Sequence, residues 1–174
     1  MPTDSTKLDH PPFPIMEWDE CEWWTGEISL SFGDGAGLYV TPYDPDVTRI
    51  PSAAQSNALT YLMQNADRVF AAILDRLLPY YQKMRPTYSE YLGDEAQLLM
   101  PAVTQREALS SLIDLRDVHI HPWEKSGVGY VVLQFGCTWD IEHGLGVLMH
   151  NDRVVELGGA DVSLASAREE ADNA

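Results

Sequence analysis

The sequence predicts an α+β domain, an antiparallel β-sheet with two to three α-helices packed on one face. Three observations carry that prediction. Polar and apolar residues alternate with period two near both ends of the chain, from Thr25 to Phe32 and again from Val118 onward. Between them a single apolar stripe at i, i+3, i+4 spacing runs from Leu59 to Tyr81. No strand–helix–strand unit repeats, which is the order of α+β rather than α/β folds. With 174 residues, 45% of them hydrophobic, the chain suits one domain that buries enough surface to fold without disulfide or metal staples.

The elements follow in order. Residues 1–15 contain four prolines and are expected to form a flexible arm. Residues 16–162 form the domain. It opens with the acid–tryptophan segment Glu17 to Trp24, then a β-hairpin whose strands meet at Gly33-Asp34-Gly35-Ala36-Gly37. The stretch Pro42 to Pro51 is a loop. Ser52 with Gln55 three residues on is a capping-box start for a helix. Asn65-Ala66-Asp67 can divide the helical stripe in two, Pro79 should kink it, and it should end before Pro86. Thr104 and Glu107 form a second capping box, opening a short helix with Leu109, Leu112 and Ile113 as its apolar face. Val118-His119-Ile120-His121 alternates and puts both histidines on one face. Val128 to Cys137 is apolar on both faces and should be a central strand. Two further strands flank the turn His150-Asn151-Asp152. Residues 163–174 are expected to be a flexible tail.

Charge restricts the partners. Eleven Lys+Arg against 27 Asp+Glu leave a formal net charge of −16. Nucleic-acid binding by counterion release needs clustered cations, which the chain lacks, and an anionic membrane surface would repel it. A basic protein is the charged partner that fits. No apolar run approaches the roughly 20 residues of a membrane span, and no secretory signal opens the chain, so a cytoplasmic location is expected. Cys21 and Cys137 are then expected as free thiols.

The order Ile120-His121, Lys125-x-Gly127-x-x-Tyr130, Phe135-Gly136-Cys137-Thr138-Trp139-Asp140-x-Glu142-His143-Gly144-Leu145-Gly146-Val147 and Gly158-Gly159-Ala160-Asp161 resembles a family of bacterial domains of unknown function. Trp24-Thr25-Gly26-Glu27 resembles that family's first strand, so the likeness runs from about residue 23 to 161. The resemblance implies no catalytic assignment. By association with toxin–immunity neighbourhoods it implies an immunity-type role.

Three constellations could carry chemistry. His119, His121 and His143 are imidazoles that zinc accepts, with Asp140 or Glu142 as general base in a catalytic version. Cys137 and His143, oriented by Asp140, are the residue types of a nucleophile pair. Both have ordinary readings beside them: Asp140 can cap a turn, and Cys137 can pack as a small hydrophobe. Glu17, Trp18, Asp19, Glu20 and Glu22 suit a basic protein surface, with tryptophan as anchor and acids as Lys/Arg partners; Trp23 and Trp24 can equally be the first core residues of the hairpin. The function expected is an acidic, immunity-type binding protein acting by protein–protein interaction on a basic partner such as a toxin, with no cofactor. The alternative is a metal-dependent hydrolase using His119, His121, Asp140, Glu142 and His143, with zinc as the possible metal.

Overall fold

The computed structural model describes residues 6–161. Eight strands form one sheet in the order β1 to β8: Lys7–Leu8, Met16–Asp19, Trp23–Leu30, Gly33–Val40, Ile113–Lys125, Val128–Cys137, Leu145–His150 and Arg153–Gly158. Three helices, α1 (Ala53–Gln64), α2 (Ala66–Leu92) and α3 (Ala96–Leu99), lie between β4 and β5. The fold is α+β and the sheet is mostly antiparallel. The exception is β4 against β5, which pair in parallel through Gly37↔Asp117 to Val40↔Ile120. A parallel pair needs a long crossover, and the helical segment between the two strands supplies it.

Residues 6–15 are anchored rather than forming a loose arm. Lys7 and Leu8 pair with Glu17 and Met16, and Leu8 and Phe13 are buried. Apolar burial of those two side chains outweighs the proline-rich character of the segment. The expected tail at 163–174 lies outside the described residues.

At the start of α1 the Ser52 hydroxyl accepts the Gln55 N–H at 3.2 Å, and Gln55 Oε1 accepts the Ser52 N–H at 2.9 Å. The predicted capping box is therefore present. The break at Asn65 separates α1 from α2 as expected. The predicted helix end before Pro86 does not occur. Helix α2 passes through both Pro79 and Pro86 and stops at Gly93, whose φ of +55° suits glycine. Each proline removes one N–H, but Tyr88 and Leu92 beyond Pro86 pack on the core, so burial carries the helix on. The second capping box does not form either. Residues 106–111 make a 3₁₀ turn with no side-chain cap, and Leu109 is its buried contact.

The main core joins Leu59 and Leu62 of α1, Ile73, Leu77 and Tyr81 of α2, and sheet residues Leu38, Val118, Ile120, Leu133, Phe135 and Val147. A second cluster, Tyr130, Val132 and Leu148 with Trp123 and Val155, draws on strands alone. Along β6 the odd positions from Val131 to Cys137 join the first cluster, while Tyr130 and Val132 join the second. Strand β6 lies between β5 and β7 and is covered on both faces, as its unbroken apolar run predicts.

Candidate functional site

The loop leaving β6 is built by its own sequence. Asp140 Oδ1 accepts the His143 backbone N–H at 3.0 Å and lies 2.9 Å from His143 Nδ1. The Asp140 carbonyl accepts the Gly144 N–H at 2.9 Å and faces Cys137 Sγ at 3.4 Å. Gly144 has φ +64°, and a Cβ there would sit 2.6 Å from the Phe135 carbonyl oxygen, so only glycine closes the turn without strain. The Thr138 hydroxyl donates to the Leu99 carbonyl at 2.6 Å, tying the loop to α3. Trp139 is buried edge-on against Tyr81, with ring centroids 5.0 Å apart. Ile141 and Glu142 are left exposed at the apex.

Opposite this loop stand the last turns of α2. Between them opens a groove of about 810 Å³ lined by Met84, Tyr88, Tyr91, Leu92, Leu99, Trp139 and Ile141, with Glu95, Asp140, Glu142 and His143 as its charged or titratable groups. No Lys or Arg lines it. The Tyr88 hydroxyl donates to Asp140 Oδ2 at 3.0 Å, completing a Tyr88–Asp140–His143 chain.

These contacts set the protonation states. Burial raises the Asp140 carboxyl more than any other single influence, but the His143 N–H, the His143 ring and the Tyr88 hydroxyl together outweigh it and hold the carboxyl below its ordinary value. The same pair raises His143, chiefly through the hydrogen bond to Asp140. Burial first, and then the Asp140 bond, push the Tyr88 hydroxyl up to about 12, so it stays a donor. The His143–Asp140 ion pair thus stabilises the turn below the ordinary histidine value of 6.5, and that stabilisation is lost as pH rises through the raised value in the folded state. An NMR titration of the His143 ring should show a midpoint above 6.5 that falls back on Asp140→Asn; equal midpoints would mean the pair does not govern the ring.

The structure brings Cys137, Asp140, Glu142 and His143 to this loop but does not make the thiol a nucleophile. Cys137 is buried, and that burial pushes it up to about 11, away from thiolate at neutral pH. His143 directs Nδ1 to Asp140 rather than to sulfur.

The joint histidine site is not assembled. His119 pairs with Val132 of β6, five residues (137 − 132) from Cys137, where the loop to His143 begins; that separation is about 16 Å at ~3.3 Å per residue. His121 lies further still, toward Gly129. Among the described residues no group of three or more His, Cys, Asp or Glu is placed to hold a metal ion. His119 instead stacks on Tyr39 with centroids 4.6 Å apart, and His121 is buried, so the pair is not solvent-facing.

The acid–tryptophan segment runs through β2 and the following turn into the start of β3. Trp18 packs edge-on to the buried Trp24 at 5.0 Å and carries the Arg49 guanidinium 4.4 Å above its ring. One face of Trp18 is therefore already taken. Asp19 Oδ1 accepts the Cys21 N–H at 2.8 Å, and that bond lowers its carboxyl. Glu17, Glu20 and Glu22 are exposed, with Lys7 3.9 Å from Glu17.

A family model described as a domain of unknown function, DUF6985, matches residues 13–164. The chain belongs to this family. No curated protein and no solved structure matches it. The part matched to DUF6985 takes in both the groove and β2. Sequence reasoning missed the α2 side of the groove. The signal was available: Tyr81, Met84, Tyr88 and Leu92 continue the helical stripe at spacings of three and four across Pro86.

Proposed function

We propose that this DUF6985 domain is a binding protein that acts by protein–protein interaction, with the α2–loop groove as its docking surface. The observation that carries the reading is the groove's composition. Its walls are aromatic and aliphatic, its titratable rim is Glu95, Asp140, Glu142 and His143 without Lys or Arg, and Tyr91 and Ile141 stand 84% and 82% exposed at its lips. Exposed large apolar side chains grouped beside the carboxylates of Glu95 and Glu142, with Asp140 already held by His143 and Tyr88, suit a partner segment that carries both apolar anchors and Lys or Arg. The finer form of the reading is an immunity-type protein of the bacterial cytoplasm that meets a basic partner such as a toxin. Glu17, Asp19, Glu20 and Glu22 then add to the field that steers its approach. No described helix is long and apolar enough to cross a membrane.

The test uses two peptides of equal positive charge, one with interspersed Leu and Phe and one without, titrated while the Trp139 indole and Ile141 methyl signals are followed. The apolar-bearing peptide should shift both signals, saturate, and weaken as salt rises. Tyr91→Ala with Ile141→Ala should weaken it about tenfold or more, since both side chains are exposed and their loss leaves the core intact. Equal binding of both peptides, or binding unaffected by the double substitution, would remove the groove from the interface. A basic protein encoded beside this chain in its native host is the next ligand to try.

A further inference from the structure

The chain has eleven Lys+Arg, of which Arg168 alone lies outside the described residues. Nearly all the others are engaged. Lys7, Arg68, Arg106 and Arg116 are in ion pairs, Arg49 lies over Trp18, and Arg85 donates to the Met100 carbonyl. Lys125 and Arg153 have partners as well. Among the described cations this leaves Arg76 and Lys83 without an ion pair, hydrogen bond or ring contact. In a chain with 27 Asp and Glu residues, two described cations with no partner of any kind are a departure from the pattern. Both line the same cavity, a pocket of about 240 Å³ between α2 and β8 whose remaining walls are Pro79, Tyr80 and Leu157.

The geometry suits a shared ligand. Arg76 and Lys83 are two helical turns apart, about 10.5 Å along the axis and on one side of α2, with Tyr80 between them. A guanidinium grips an oxyanion through paired N–H donors, and an ammonium adds a mobile point charge. Burial raises the Tyr80 hydroxyl above its ordinary value, so it remains protonated and can donate. Pro79 and Leu157 offer apolar surface beside the charges.

We propose that this pocket is an anion-binding site for a carboxylate or phosphate group, favouring one carried on a small branched apolar body. The site is independent of the peptide-docking role proposed for the groove.

The test is an NMR titration at constant ionic strength, with chloride as the background anion, following the Tyr80 ring and the Leu157 methyls. Inorganic phosphate, isovalerate and the neutral isovaleramide are the probes. Saturable shifts with phosphate or isovalerate, and none with the amide, support the site; whichever anion saturates at the lower concentration identifies its source. Arg76→Gln with Lys83→Gln should weaken that anion about tenfold or more. Tyr80→Phe, which keeps every charge, should weaken it by a smaller factor and guards against any misfolding of the double variant. Shifts that never saturate, that the amide reproduces, or that persist in the double variant would overturn the proposal.

Discussion

Phe135→Ala should lower the unfolding free energy by about 3–5 kcal/mol, the range for a large aromatic removed from a packed core. Phe135 is 2% exposed on the central strand β6. Its ring packs against Phe32 at a centroid distance of 6.3 Å, and Phe32 stacks on Phe70 of α2 at 4.7 Å. The substitution therefore opens a cavity where the β3–β4 turn, α2 and the sheet meet, and none of these can collapse into it alone. Urea unfolding of both proteins at one pH measures the difference. A loss under about 1 kcal/mol would mean that the ring is not fully packed in solution.

Acidification should produce the second large effect, through His121. The side chain is 6% exposed, and neither ring nitrogen has a hydrogen-bond partner among the described residues. Burial, with a smaller contribution from His119, lowers it from 6.5 to about 4. The unfolded chain thus takes up a proton near pH 6.5 that the folded chain refuses until about pH 4. The neutral imidazole's contribution is full above 6.5 and is lost as pH falls through that window: about 2 kcal/mol by pH 5 and about 3 kcal/mol below pH 4. His119, lowered chiefly by burial and raised in part by Asp117, acts in the same direction. Unfolding free energies measured between pH 7.5 and 5 should fall steeply in the wild type and less steeply in His121→Leu. Parallel slopes would show that His121 is solvated or partnered in the native state.

The candidate site was half legible in the sequence. Asp140 and His143 could be read as a turn cap and its partner, because an aspartate hydrogen-bonds backbone two or three residues on whatever the fold. Tyr88 and Tyr91 could not be joined to them, since they lie some fifty residues earlier and across a proline that local rules treat as a helix end. The His119–His121 pair misled in the opposite way. Spacing on a strand places two rings on one face, but the loop bearing His143 is reached only through the register of β6, which no local pattern supplies.

What the sequence by itself determined about this protein is its local structure and its sign of charge. The capping box at Ser52, the break at Asn65, the two-faced burial of β6 and the net charge of −16 rest on neighbouring residues or on composition alone. The tertiary structure decided three things. It paired β4 with β5 in parallel, because the long helical crossover lets distant strands meet. It carried α2 through Pro86, because burying Tyr88 and Leu92 outweighs one missing backbone hydrogen bond. And it set the end of α2 against the loop after β6, creating the groove. Each of these is a contact between residues far apart in the chain, and its free energy exists only once the chain has closed around it.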